Sequence, residues 1–246
     1  MTFKNLEQLH ESVRSNARAY CERLSTVLGK NLRAISAYGS ATGPDFIPGK
    51  SDVNLAVVVD RINEQVLTNL LDTVKWGKKK KIPPPLLVTP GYIETSLDVF
   101  PIEFVEIRES QVLLTGDDYF GGLEVKPLEM RLECESQLKA AVLRTRQAYL
   151  EIGMTRQGAE SVLHASLTSL IPVLRALLRL KGEAVPRRKS DVVKTVGRAF
   201  GIDPGCFESI LKDKAGDEKI GDREAHEVLA GYLADIEKLA DAVDGL

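Results

Sequence analysis

The chain has 246 residues, 43% of them hydrophobic and 28% charged, with a formal net charge of -2. This is an ordinary globular balance, long enough for one large core or two of roughly 100–150 residues each, and it argues against a generally basic protein built to coat nucleic acid, although a local basic patch is still open to it. Its three cysteines, Cys21, Cys134 and Cys206, are far apart with no Cys-x-x-Cys pair, so neither a disulfide framework nor a zinc site is expected and a reducing cytoplasm suits them.

The first residues, MTFKNLEQLHESVRSN, contain no apolar run, so a signal peptide is not expected. Residues 3–28 place Phe3, Leu6, Leu9, Val13, Ala17, Tyr20, Leu24 and Leu28 at helical spacing, and Gly29 supplies a stop. This helix is expected to pack on the core or to serve a homodimer. Residues 31–38, NLRAISAY, read as a strand, and residues 53–60, VNLAVVVD, as a buried one. Residues 63–76 read as a helix running into the lysine run 78–81. Three prolines at 83–85 enforce extended chain, Leu86-Leu87-Val88 reads as a third strand, and residues 91–98 as a short helix. PIEFVEI, residues 101–107, reads as a fourth strand, and QVLLTG, residues 111–116, as a fifth element.

After Pro127 strand signals vanish. Helical periodicity fills roughly 128–152, 159–182, 190–200 and 224–243. Residues 162–180 are strongly apolar, but Arg175 and Arg179 make a membrane span costly, so they read as a core helix of a bundle with Pro172 kinking it or near its start. The expected class is α+β: a small mixed β-sheet domain over 31–125 with flanking helices, preceded by the helix of residues 1–30 and followed by an all-α bundle over 126–246.

The residues that suggest chemistry stand between the first two strands. Gly39-Ser40 forms a turn, and Asp52 and Asn54 open the second strand. Positions i and i+2 of a strand share a face, roughly 6.6 Å apart. Two oxygen-bearing side chains there can converge on a hard cation with substrate phosphates, and the turn can offer N–H groups and a hydroxyl to phosphate oxygens. The plain alternative is a loop end at Ser51-Asp52 and a polar edge residue at Asn54.

The stretch GSATGPDFIPGKSDVN resembles the signature of the nucleotidyltransferase superfamily of DNA polymerase beta and kanamycin nucleotidyltransferase. That signature is a Gly-Ser turn, a gap of about ten residues, Asp-x-Asp on the next strand and a third carboxylate on a later strand. The helical second half is similar to the partner domain of small antibiotic nucleotidyltransferases, so the resemblance spans nearly the whole chain. It implies Gly39 and Ser40 on the phosphates of a nucleoside triphosphate such as ATP, and Asp52, Asn54 and Glu103 as catalytic and metal-holding residues for Mg2+. The implied site is a cleft between the two domains, and the implied reaction transfers a nucleoside monophosphate to an acceptor hydroxyl on a small molecule, a protein or RNA. Glu106 competes with Glu103. Read as a strand, the two face opposite sides; Glu103 is preferred as nearer the strand's middle, and Glu106 reads as an exposed end residue. Asn54 departs from the pattern, because an amide carbonyl ligates a cation only as a dipole. Losing one such electrostatic contact can cost on the order of 100- to 1000-fold in rate. The rival expectation is therefore a nucleotide-binding or regulatory module without catalysis.

Two basic stretches remain. The run Lys78 to Lys81 reads first as cations completing a helix C-terminus, and second as a contact for polyphosphate or RNA, with Trp76 the one aromatic beside it. Arg187, Arg188 and Lys189 precede Ser190 and Asp191, either of which could cap a helix. Arg187 and Lys189 either neutralise a phosphate tail or belong to a basic interhelical loop. His164 sits in an apolar helix and reads as a packed or hydrogen-bonded residue.

Overall fold

The N-terminal helix starts later than its periodicity suggests. A short turn, Leu6–Gln8, follows Asn5 at φ 60°, and the helix proper, α1, runs Glu11–Leu28. Its buried residues, Val13, Ala17, Tyr20, Cys21, Leu24 and Leu28, recur every three or four positions, and Gly29 ends it at φ 52°. Each fully buried leucine in such a face contributes about 1.5–3 kcal/mol. This face is spent inside the molecule, in one core with the central strands, rather than left for a second copy.

The computed structural model describes residues 3–155 and 157–246. The chain divides into two compact units, Met1–Val125 and Lys126–Leu246. The first holds a mixed four-stranded sheet of β1 (Leu32–Tyr38), β2 (Asn54–Val59), β3 (Leu86–Val88) and β4 (Val112–Gly116), in the order β3-β2-β1-β4. β1 lies antiparallel to both β2 and β4, and β3 runs parallel to β2. Because strand side chains alternate, one face carries Ile35, Val53, Leu55, Val57 and Val59 into a core with α1 and α2 (Glu64–Lys78). The other face carries Ala34, Ala56 and Val58 against Ile93 of α3 (Pro90–Thr95) and Phe104 and Ile107 of α4 (Pro101–Ser110). α1 and α2 approach closely at Gly77, where a Cβ would stand 2.6 Å from the Tyr20 ring.

One element differs in kind from the sequence expectation. PIEFVEI forms the first part of helix α4, not a strand. Pro101 occupies its first turn, where proline costs no hydrogen bond. The buried set Pro101, Ile102, Phe104, Val105 and Ile107 follows a helical spacing that the apolar–acid alternation conceals over seven residues. The fourth strand is β4, from the neighbouring QVLLTG stretch.

The second unit is helical: α5 (Pro127–Ile152), α6 (Gly158–Leu180), α7 (Lys189–Phe200), α8 (Gly205–Ala215) and α9 (Asp222–Val243). α6 is long and apolar enough to cross a membrane by length and composition, yet twelve of its residues, from Gly158 to Leu178, are buried among the other helices. Pro172 sits inside it and the helix continues past it. α8 was not expected. Its signal is short, with Phe207 and Ile210 three apart just after Pro204. α7 begins at Lys189 with Arg188 at its cap position and no side-chain cap, so Ser190 and Asp191 lie in its first turn instead of capping it.

Candidate functional site

The site is built at the end of β1. Tyr38 pairs in register with Asn54, and the chain then turns through a single 3-10 turn, Gly39–Thr42. Gly39 has φ +77°, a left-handed conformation that glycine adopts at no steric cost. A Cβ there would lie 3.3 Å from Asn54 Nδ2, so the Asn54 amide packs directly against the turn. The turn is fastened on both sides. Gly39 N–H donates to Ser110 Oγ at 3.1 Å, and the Ser110 hydroxyl donates to the Glu106 carbonyl at 2.6 Å. The Thr42 hydroxyl donates to the Gly39 carbonyl at 2.8 Å, and Gly43 N–H to the Ser40 carbonyl at 3.1 Å.

The segment leading to Asp52 is folded on itself. Ser51 receives the Ile47 N–H at its hydroxyl, 2.9 Å, and returns its own N–H to the Ile47 carbonyl, 2.8 Å. Asp52 then emerges exposed, one residue before buried Val53, whose N–H donates to the Lys81 carbonyl at 2.9 Å. The lysine run therefore ends one bond from the candidate site. Its turn closes α2, with Lys80 and Ile82 N–H groups donating to the Gly77 carbonyl, so the helix-terminus reading describes its backbone. Trp76 is occupied by packing, stacked on Tyr20 and covered by the Arg23 guanidinium 4.7 Å from its ring centre.

Glu103 reaches this place from a helix. It is exposed in the first turn of α4, not buried mid-strand, and its charge bears on Tyr38. Burial first, and Glu103 second, push the Tyr38 phenol above its usual range. In a helix, residues three apart are neighbours, so Glu103 and Glu106 lie on adjoining turns of one side rather than on opposite faces. Glu106 is the more buried of the two. The later strands, β3 with Leu86-Leu87-Val88 and β4 with VLLTG, contain no carboxylate at all. The acid candidate for that position, Glu103, therefore stands on helix α4 and not within a later strand.

The structure brings Gly39, Ser40 and Asn54 together, sets Asp52 at the mouth of the same strand and leaves Glu103 near Tyr38. Arg187 and Lys189 are in the helical unit. Arg187 is exposed, its carbonyl taking a hydrogen bond from Arg175 at 3.1 Å, while Lys189 is half-buried at the start of α7. Sequence reasoning missed a polar chain behind the turn. Buried Ser36 donates to Gln111, 3.0 Å, and Gln111 donates to Asp118, 2.8 Å. Desolvation would raise the Asp118 carboxyl, but N–H donors from Gly121 and Phe120 together with Gln111 outweigh it and hold the group below the usual carboxylate range. The signal for this chain was the Gln111-to-Gly121 segment of mixed polar and glycine residues, which carried no recognisable motif.

A solved structure of the spectinomycin adenyltransferase AAD(9) from Enterococcus faecialis, with ATP and spectinomycin, superposes on this chain with a TM-score of 0.56. The likeness covers 90% of this chain and 98% of that one, at 12% sequence identity. The chain has a nucleotidyltransferase fold. No family model matches the sequence. No curated protein matches it either.

The donor set does not suit a pair of magnesium ions held by three carboxylates. Among the described residues, no group of three carboxylate, histidine or cysteine ligands converges at the turn; the group that does converge lies in the helical unit. Asp52 supplies one formal charge and Asn54 none.

Proposed function

We propose that the first unit binds a nucleoside triphosphate at the Gly39–Thr42 turn, on a nucleotidyltransferase frame whose transfer chemistry is strongly impaired. The observation that carries this reading is Asn54 packed against Gly39. The turn keeps the left-handed glycine that lets a phosphate approach the backbone, while the residue beside it is an amide instead of a second carboxylate. Ser40 would offer its hydroxyl to the phosphates. Asp52, with the Asn54 carbonyl, forms a donor pair suited to at most one magnesium ion carried in by the triphosphate. Residues 78–81 end beside Val53, where cations would meet a polyphosphate tail.

A second reading, active transfer of a nucleoside monophosphate to an acceptor hydroxyl, is supported by the likeness to an adenyltransferase over the length of both units. Here the added carboxylate would be Glu103, with Glu106 its competitor, approaching from α4.

Calorimetric titration of each NTP, as nonhydrolysable analogues with and without Mg2+, tests the binding. Micromolar affinity that is lost in Asp52→Ala is expected; absence of binding to every nucleotide would sink the proposal. Pyrophosphate release from wild type and Asn54→Asp, offered small-molecule, protein and RNA acceptors, separates the two readings. Release by wild type establishes the second. Release only after the acid is restored establishes the first, with a gain on the order of 100-fold or more.

A further inference from the structure

The convergent ligand group noted above lies wholly within the helical unit and does not depend on the nucleotide reading. Glu160 and His164 stand one turn apart on α6, and Asp213 stands near the end of α8. One ligand atom from each lies within 4.8 Å of the other two. His164 Nε2 is 2.6 Å from Asp213 Oδ2. The other Asp213 oxygen, Oδ1, accepts the Ile220 N–H at 3.1 Å, which fixes the plane of the carboxylate. The Asp213 side chain is only 2% exposed and that of His164 is 23% exposed, so the group has a buried floor and an open side.

We propose that Glu160, His164 and Asp213 form a binding site for a first-row divalent cation, with zinc the ion that suits them best. Three features point there together. The donors are mixed, one imidazole nitrogen and two carboxylates, a set that favours zinc over the all-oxygen preferences of magnesium and calcium. They come from two packed helices, so their positions are set by the bundle rather than by a loop. The buried carboxylate already has a backbone donor behind it, the arrangement that orients a ligand toward its metal. Loading the ion replaces the direct His164–Asp213 hydrogen bond. Two ligands on one tetrahedral zinc, each at about 2.0–2.1 Å, stand about 3.3 Å apart, so the pair must open by well under 1 Å. Three protein ligands leave a fourth position toward the half-exposed side, for water or a small anion. The ion would tie α6 to α8 and, through Ile220, to the segment that leads into α9.

The test uses the full chain, with Zn2+ by calorimetry and Co2+ by visible absorption. One ion per chain, a raised melting temperature and a cobalt spectrum of nitrogen and oxygen ligation are expected. Glu160→Gln, a half-exposed isosteric change that leaves the Asp213 contacts in place, should weaken binding by about tenfold or more, as should His164→Ala. His226→Ala should leave binding unchanged. The proposal is overturned by no stoichiometric binding, by full affinity in either the Glu160 or His164 variant, by loss of binding in His226→Ala, or by a thiolate charge-transfer band in the cobalt spectrum.

Discussion

The two units bury polarity in opposite ways. Among the described residues, the buried polar side chains of the first unit are hydroxyls: Ser36, Thr73, Ser96 and Thr115. The second unit buries three carboxylates, Glu133, Asp213 and Asp235, along with Thr145. A sheet alternates its faces residue by residue, and the polar groups its strands bury, Ser36 in β1 and Thr115 in β4, are small hydroxyls rather than charges. A helix bundle meets its neighbours along broad stripes, and a carboxylate in such a stripe must find a donor, as Asp213 does with His164 on another helix and Asp235 with Lys238 on its own. The chemistry proposed for the first unit therefore rests on backbone shape, at Gly39. The chemistry proposed for the second rests on side chains that face one another, at His164 and Asp213. The acids expected to hold metal, Asp52 and Glu103, are exposed residues of the sheet unit, while the buried acids are in the other one.

The largest expected effect tests what the units share. Each buries a thiol, Cys21 in α1 and Cys134 in α5. Burial first, and the adjacent Glu22 or Glu133 second, raises each from 9.0 to about 12. The folded state therefore holds these protons more tightly than the unfolded chain does. Their contribution is fully present below the unfolded value and is lost as pH rises through the window from 9.0 to about 12. The loss is on the order of 1 kcal/mol per pH unit for each thiol across that window. Urea unfolding followed from about pH 8 upward should show the decline, and Cys21→Ala and Cys134→Ala should each remove part of the slope. A flat profile would mean that the two thiols are far more solvated than their packing indicates.

A smaller effect separates the units. Gly39→Ala forces a side chain into a left-handed backbone and places its Cβ 3.3 Å from Asn54 Nδ2. It should destabilise by about 1–2 kcal/mol and abolish nucleotide binding. The helical unit's Zn2+ binding should be unaffected. Unfolding and the two titrations on one variant preparation check all three, and loss of Zn2+ binding would show that the units do not act independently.

How much of this was legible in the sequence depends on the length scale of the signal. β2 announced itself because Leu55 to Val59 is apolar on both faces, and β3 because three prolines leave a bare Leu-Leu-Val. The turn was legible through the resemblance carried by Gly39-Ser40 and Asp52, since their spacing alone fits a plain loop end equally well. α4 was not, since seven residues alternating acids with apolar groups fit a strand, and the helical set emerges only when Pro101 and Arg108 to Ser110 are added. That error carried into the site, where Glu103 was given a strand's geometry. His164 read as a packed residue, Glu160 one turn before it drew no attention, and the partner that joins them, Asp213, was out of reach of any local pattern. It lies 49 residues from His164, on a helix whose own signal was too short to read.

The smallest effects come from a matched pair of buried tyrosines, and they sharpen the comparison most. Tyr232, on α9, has a satisfied hydroxyl: it bonds Ser166 Oγ at 2.9 Å, which bonds Thr145 Oγ1 at 2.7 Å. Tyr20, on α1, is equally buried, but its hydroxyl has no hydrogen-bond partner among the described residues. Removing a bonded hydroxyl strands its partner, whereas removing an orphan relieves an uncompensated desolvation. Tyr232→Phe should therefore cost about 1 kcal/mol. Tyr20→Phe should be neutral or stabilising by up to about 1 kcal/mol, with the stacking on Trp76 kept. Paired urea curves decide the matter by sign alone. A clear loss for Tyr20→Phe would mean that its hydroxyl is hydrated in solution, and the first unit would then bury polarity by the same rule as the second.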